Sequence, residues 1–244
     1  RVMDKTGFSH HISQQLNEKL EGIRERVLAM GGLVEQQLAG AIAALVDGDA
    51  AAAQDIIATG QAINAMDVEI DESCVHILAR RQPAASDLRL VIAVIKAVTD
   101  LERIGDEAER VGRMVQPLEQ LEEQKDLLAD MQSLGAGVCQ TLHDALDSFA
   151  RLDAEQAVAV ARRDLETDRR YEALITRVMQ QMADKPAAVP SLMKLMWVAR
   201  SLERIGDRCC NICEHVIYLV KGRDVRHTTL EQLGARAGVE PVGK

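Results

Sequence analysis

The hexapeptide LERIGD stands at residues 101–106 and again, unchanged, at 202–207. The match runs further: residues 101–115 register on 202–216 with an offset of 101, and DGDAAAA at 47–53 resembles RLDAEQA at 151–157 with an offset of 104. A chain that repeats itself at an interval of about a hundred residues folds as two copies of one supersecondary unit. The question then becomes what each copy is.

Apolar periodicity answers it. Ile12, Leu16, Leu20, Ile23, Val27, Met30, Val34, Leu38, Ile42 and Leu45 recur at three- and four-residue spacing, which predicts one helix over 9–46 with Gly31–Gly32 as a place to bend. VDGD at 46–49 is the turn, and a second helix runs from Ala50 to Arg81, stopping before Pro83. Ser86 is the expected cap of a third helix, with Asp87 in its first turn, ending near Val115 before Pro117. The pattern then restarts, with a helix over about 121–150, Asp153 as N-cap of the next over 154–183, and Pro190 in the first turn of a sixth that reaches Val220. The end, GARAGVEPVGK, is polar and glycine-rich and reads as a disordered tail. The predicted fold is all-α: two tandem three-helix bundles of six long helices, the first unit at 1–117, the second at 118–222, and the tail at 223–244.

Composition supports this and excludes several functions. Only 2% of residues are aromatic, and the apolar content is mainly Ala, Leu, Val, Ile and Met. A net charge of −9 without a sustained basic stripe argues against nucleic acid as a partner. The longest apolar stretch, LVIAVIKAV at 90–98, is broken by Lys96 and too short to span a bilayer, so no direct membrane insertion is expected. The polar start has no h-region, and a cytoplasmic location follows as the expectation. Five cysteines, an odd count, do not suggest a disulfide framework. CCNIC contains a C-x-x-C without a second pair to complete a zinc site, so Cys209 and Cys213 read as small apolar fillers, while Cys210 has no assigned role.

Placed on a helix, the repeated segment puts Leu101, Ile104, Ala108, Val111 and Val115 on a core seam, with Glu102, Asp106 and Glu109 opposite. In the second copy Leu202, Ile205, Cys209, Ile212 and Val216 face inward, and Glu203, Asp207 and Glu214 share the other side. These acids are expected to be displayed. Like charges at i, i+4 cost about 0.2–0.5 kcal/mol, and a mid-helix glycine about 1 kcal/mol relative to alanine. Gly105 and Gly206 add that cost beside the acids in both copies.

A cation would reconcile both features, because paired carboxylates one turn apart can share an ion. Asp164 and Asp168 supply a second acidic pair in the second half, where the offset of 104 puts Gly60 and Asn64 in the first. The plainer alternative is that the acids form solvated faces or pair with Arg103, Arg204, Arg200 or Arg89, and that the glycines let helices approach.

No catalytic constellation is visible. The residues three before His76, His143 and His215 are Ser73, Gln140 and Ile212, so the Glu-x-x-His pairs of a di-iron bundle enzyme are missing at these histidines. There is no P-loop and no G-x-S-x-G elbow. The chain reads as non-catalytic. The one enzymatic alternative is a metal-dependent hydrolase using Asp164, Asp168, Glu203 and Asp207 to activate water. A purely structural helical repeat is the other.

RRQPAASDLRLVIAVIKAVTDLERIGDEAER and ARSLERIGDRCCNICEHVIYLVKG, with HHISQQLNEKLEGIRERVLAMGGLVEQQL near the start, resemble the PhoU family of bacterial phosphate-signalling regulators. The resemblance implies two three-helix bundles. It also implies iron or zinc clusters, which some members hold on E/D-x-x-x-D pairs. Those pairs correspond here to Glu102 with Asp106, Glu203 with Asp207, and Asp164 with Asp168, while Gly60 and Asn64 depart from the pattern. It further implies a homodimeric, cytoplasmic negative regulator of phosphate signalling and uptake. Such a regulator links the ATPase subunit of a phosphate transporter to a sensor histidine kinase.

Overall fold

Two helix starts fall where an aspartate offers the backbone amides another partner. Asp49 Oδ1 accepts from the amides of Ala51 and Ala52 at 2.9 and 3.0 Å, and Asp153 Oδ1 from those of Glu155 and Gln156 at 2.9 and 3.0 Å. These two N-caps are related by the offset of 104, so the duplication includes its punctuation. The structure, a computed structural model, describes residues 5–81, 83–115, 124–226, 228 and 230–238.

The helices are α1 (Lys5–Asp47), α2 (Ala50–Arg81), α3 (Ala85–Arg113), α4 (Lys125–Arg151), α5 (Ala154–Asp184), α6 (Val189–Lys221) and α7 (Leu230–Ala237), with a 3-10 turn at Pro186–Ala188. Pro190 lies in the first turn of α6, as its missing amide proton favours. Ser86 is not the cap of α3. Ala84 is extended after Pro83, the helix starts at Ala85, and no side chain caps it. The expected start of the fourth helix near 121 lies outside the described residues.

After α6 the described residues up to 238 depart from the expected disorder, and the rest of the predicted tail lies outside the described residues. Gly222, at φ 67°, turns the chain back, Val225 is buried, and α7 packs on α5 and α6 through Leu233 and Ala237. Leu233 and Ala237 are one helical turn apart, which is enough to give a short amphipathic segment a buried stripe.

Helices α1–α3 form one cluster and α4–α6 another, and the two join through α1 against α4 and α3 against α6. A pseudo-twofold relation governs the α1–α4 contact. A Cβ on Gly31 would lie 2.6 Å from Leu146 Cδ2, and one on Gly135 would lie 2.7 Å from Ile42 Cδ1. The offset of 104 exchanges Gly31 with Gly135 and Ile42 with Leu146. Gly31 therefore serves close approach, and α1 runs through it unbroken. The core continues on both sides through Met30, Val34, Leu38 and Leu45 and their counterparts Leu134, Val138, Leu142 and Phe149, all buried. Between Gln15 and Asp47, α1 is long and apolar enough to cross a bilayer, with a window of mean hydropathy 1.3, but 50% of that window is buried inside the bundle. Its apolarity is that of a core helix.

Candidate functional site

Leu202, Ile205, Cys209, Ile212 and Val216 are all buried, as the helical phase requires, and this leaves Glu203 and Asp207 on the flank of α6 beside α5. Display is only partial. Asp207 is exposed, Glu203 is half-buried, and Asp164 on α5 is 8% exposed. Asp164 Oδ2 accepts from Cys210 Sγ at 3.2 Å, whereas Oδ1 is buried without a hydrogen-bond partner. A Cβ on Gly206 would lie 2.8 Å from that Oδ1, so the glycine makes room for the aspartate. Glu203 Oε1 accepts from Arg200 at 2.7 Å, while Oε2 is buried and unpartnered.

Burial, partly countered by the Cys210 hydrogen bond, pushes the Asp164 carboxyl up to about 6, with Asp168 and Asp207 adding to the rise. Glu203 is raised by burial and then by Asp207, and Asp207 by burial and then by Asp168. A carboxyl raised on folding favours the folded state most where it is protonated. Its contribution is present in full below the ordinary aspartate range and is lost as pH climbs through about 6. Asp164→Asn is therefore expected to flatten the fall in stability between about pH 4 and 6 and to be more stable than wild type at pH 7, by on the order of 2 kcal/mol. Urea melts across that range check it. An unaltered pH slope would mean that Asp164 does not carry the buried proton.

The first half is built differently. Glu102 is half-buried and Asp106 exposed, and the carboxylates that act on Glu102 are Asp106 and Asp67. Asp67 is raised by burial and then by Asp71. Sequence reasoning missed both α2 acids, although the D-x-x-x-D spacing of DVEID at 67–71 was a readable signal. At Gly60, the counterpart of Asp164, a Cβ would lie 2.6 Å from Glu109 Oε2, so an acid from α3 fills the space left by the missing acid of α2. A Cβ on Gly105 would meet Gln37 Oε1 at 3.2 Å and Ile63 at 3.3 Å. Both hexapeptide glycines thus serve close contacts between elements.

A second polar group, also missed, lies buried where α3 crosses α6. Asp100, 6% exposed, accepts from Asn211 Nδ2 at 3.1 Å and lies 2.9 Å from His215 Nε2 and 3.4 Å from Arg208. Glu107, 5% exposed, accepts from Ser201 Oγ at 2.8 Å and meets Arg204 at 3.2 Å and Arg110 at 3.0 Å. The pairing of low numbers with high ones makes the helices antiparallel. The offset of 101 maps Asp100 onto Ser201 and Glu107 onto Arg208, so the Asp100–Arg208 and Glu107–Ser201 contacts are counterparts. Duplication placed these positions face to face, and divergence made them complementary.

The expected iron or zinc clusters are not supported. Among the described residues no group of three or more His, Cys, Asp or Glu side chains could hold a metal ion. Instead, Arg200 neutralises Glu203 and Cys210 bonds Asp164. Of the six acids singled out in the sequence, Asp164, Asp168, Glu203 and Asp207 come together across α5 and α6, while Glu102 and Asp106 stand with Asp67 on the other unit. The cysteines are free, and burial pushes the Cys209, Cys210 and Cys213 thiols well up. None is a poised thiolate.

Comparison with known proteins agrees with this architecture. The family model described as the PhoU domain matches residues 27–115 and 131–216. The phosphate-specific transport system accessory protein PhoU of Serratia marcescens is 48% identical over 226 residues, covering 92% of each chain. That of Escherichia coli (strain K12) is 46% identical over 232 residues, covering 95% of each. The crystal structure of PhoU from Pseudomonas aeruginosa superposes with a TM-score of 0.80 at 46% identity, covering 85% of this chain and 99% of that one. The phosphate transport system regulatory protein PhoU from Streptococcus pneumoniae gives 0.79 at 30% identity, with 86% and 99% covered.

Proposed function

The chain belongs to the PhoU family of phosphate transport regulatory and accessory proteins, and from that premise we propose that it is a cytoplasmic adaptor joining a phosphate transporter's ATPase subunit to a sensor histidine kinase. It is a regulatory protein in phosphate signalling and not an enzyme. In phosphate-replete cells the adaptor holds the kinase from activating starvation genes. The observation that carries this reading is the family match along nearly the whole chain, at 46–48% identity to accessory proteins of the phosphate-specific transport system. Physical support comes from the two acidic faces on a helical scaffold, which suit basic surfaces of partner proteins. A homodimer belongs to the same reading, and light scattering on the purified chain measures it.

The experiment is a gene deletion. Loss of the gene is expected to raise a phosphate-starvation reporter, in phosphate-rich medium, to the level of starved wild-type cells, and a plasmid copy is expected to restore silence. Binding of the purified chain to the ATPase subunit and to the kinase's cytoplasmic portion tests the adaptor role directly. A reporter that stays silent in the deletion strain overturns the reading.

A further inference from the structure

Val68 and Val75 are 55% and 61% exposed on α2, and their spacing of seven puts them on one face, with Ala79 a turn further on. With Asp67, Asp71, Glu72 and His76 they form one open strip of the α2 surface, with no second described helix walling it. On the other flank of the same stretch a groove of about 640 Å³ separates α2 from α1, with Ile23 and Ile77 among its lining residues. Gly22 also lines it, and a Cβ there would meet nothing within 4 Å, so internal packing does not explain this glycine.

The charge that α2 itself contributes has one sign, while Lys19 and Arg26 of α1 stand across the neighbouring groove. From Ala50 to Ala79, α2 contains Asp55, Asp67, Glu69, Asp71 and Glu72 and no lysine or arginine. Asp71 Oδ1 is buried without a hydrogen-bond partner. The second unit keeps only part of this pattern: Met179, the counterpart of Val75, is 57% exposed, but the rest of the strip differs. At the offset of 104, Asp67, Val68 and Asp71 become Tyr171, Glu172 and Ile175, and Gly22 becomes Asp126. The Arg26–Ser73 hydrogen bond across the first groove, 3.0 Å long, becomes an Arg177–Asp130 ion pair in the second. The combination of two exposed valines with the Asp67–Asp71 pair is thus specific to the first unit.

We infer that the outer face of α2 from Asp67 to Ala79 docks a basic amphipathic helix of a partner protein. Resting on the adaptor reading above, this assigns one partner's surface. Apolar side chains spaced i, i+4, i+7 would seat against Val68 and Val75, with Lys or Arg on both flanks meeting the acids. The face is three helical turns long, about 17 Å, which matches a helix of that length. A second copy of this chain fits poorly, since a twofold contact would set the acidic stripe against itself.

The test uses the full chain and a fluorescent synthetic peptide of about 18 residues, with Leu at i, i+4, i+7 and i+11 and Lys elsewhere on its flanks. Wild type is expected to bind it saturably, and more weakly as salt rises. The Val68→Asp/Val75→Asp variant should bind roughly tenfold more weakly, whereas Met179→Asp, at the counterpart of Val75 on α5, should bind as wild type. Unchanged thermal melting of both variants shows that they fold. Equal binding by Val68→Asp/Val75→Asp and wild type overturns the site, as does a peptide cross-link that maps to α5 or α6. In cells the double variant should derepress the starvation reporter and Met179→Asp should not. Lost peptide binding with intact repression overturns the assignment of this face to the regulatory partner. The deletion strain, read separately, reports on the adaptor function itself.

Discussion

Asp100→Ala is expected to lower the unfolding free energy by about 3–5 kcal/mol, the range for removing one partner of a buried charged network. The side chain is 8% exposed, and its loss leaves His215, Asn211 and Arg208 facing a gap at the joint between the two helix clusters. A buried donor deprived of its acceptor forfeits the hydration it gave up on folding; here His215 is buried, and the half-buried Asn211 and Arg208 lose the same acceptor. Asp100→Asn, which keeps an acceptor oxygen but not the charge, should fall between the variant and wild type. Denaturant melts followed by helical circular dichroism measure both. A loss below about 1 kcal/mol for Asp100→Ala would place the network among surface-like ion pairs, and the joint would then rest on apolar contacts alone.

The second large effect is expected at the α1–α4 crossing. Gly135→Val should destabilise by about 1–3 kcal/mol, as overpacking of a filled core does. The new side chain would begin within 2.7 Å of Ile42 Cδ1, 3.0 Å of Cγ1 and 3.1 Å of Cγ2, so the whole isoleucine has to move. Gly31→Val should do the same against Leu146, where the corresponding distances are 2.6, 2.9 and 3.3 Å. Valine is a better helix former than glycine, so the local helix gains while the crossing loses, and the sign of the measured change shows which wins. Adding Ile42→Ala to Gly135→Val should recover part of the loss, because the cavity and the intruding methyls compensate. Additive losses in that double-mutant cycle would mean that the strain lies elsewhere.

Much of the fold could be read without coordinates because its signals are local. Asp153 caps α5 through two backbone amides of its own helix, and the buried seam of α6 follows from 3.6-residue periodicity. The candidate site was less legible. Glu203 and Asp207 share a helix face by spacing alone, but the depth of Asp164 depends on Gly206 of another helix. Ser86 looked like a cap because caps have a composition, yet Pro83 and the extended Ala84 set where α3 begins. The Asp67–Asp71 pair carried a readable spacing and was missed. The expectation of a metal rested on charge repulsion needing relief; Arg200, one of the arginines the sequence offered for pairing, and Cys210, which it did not single out, supply part of it.

The amino-acid order by itself determined the duplication, the helices and their inward seams, since these depend on neighbours within a turn or two along the chain. Only the tertiary structure decided that Asp100 meets His215 across 115 residues, that Glu109 covers Gly60, and that the α2 acids stand beside Glu102. Contacts between helices depend on crossing angle and register. Those are set by the whole set of packed side chains, and no short stretch of sequence encodes them.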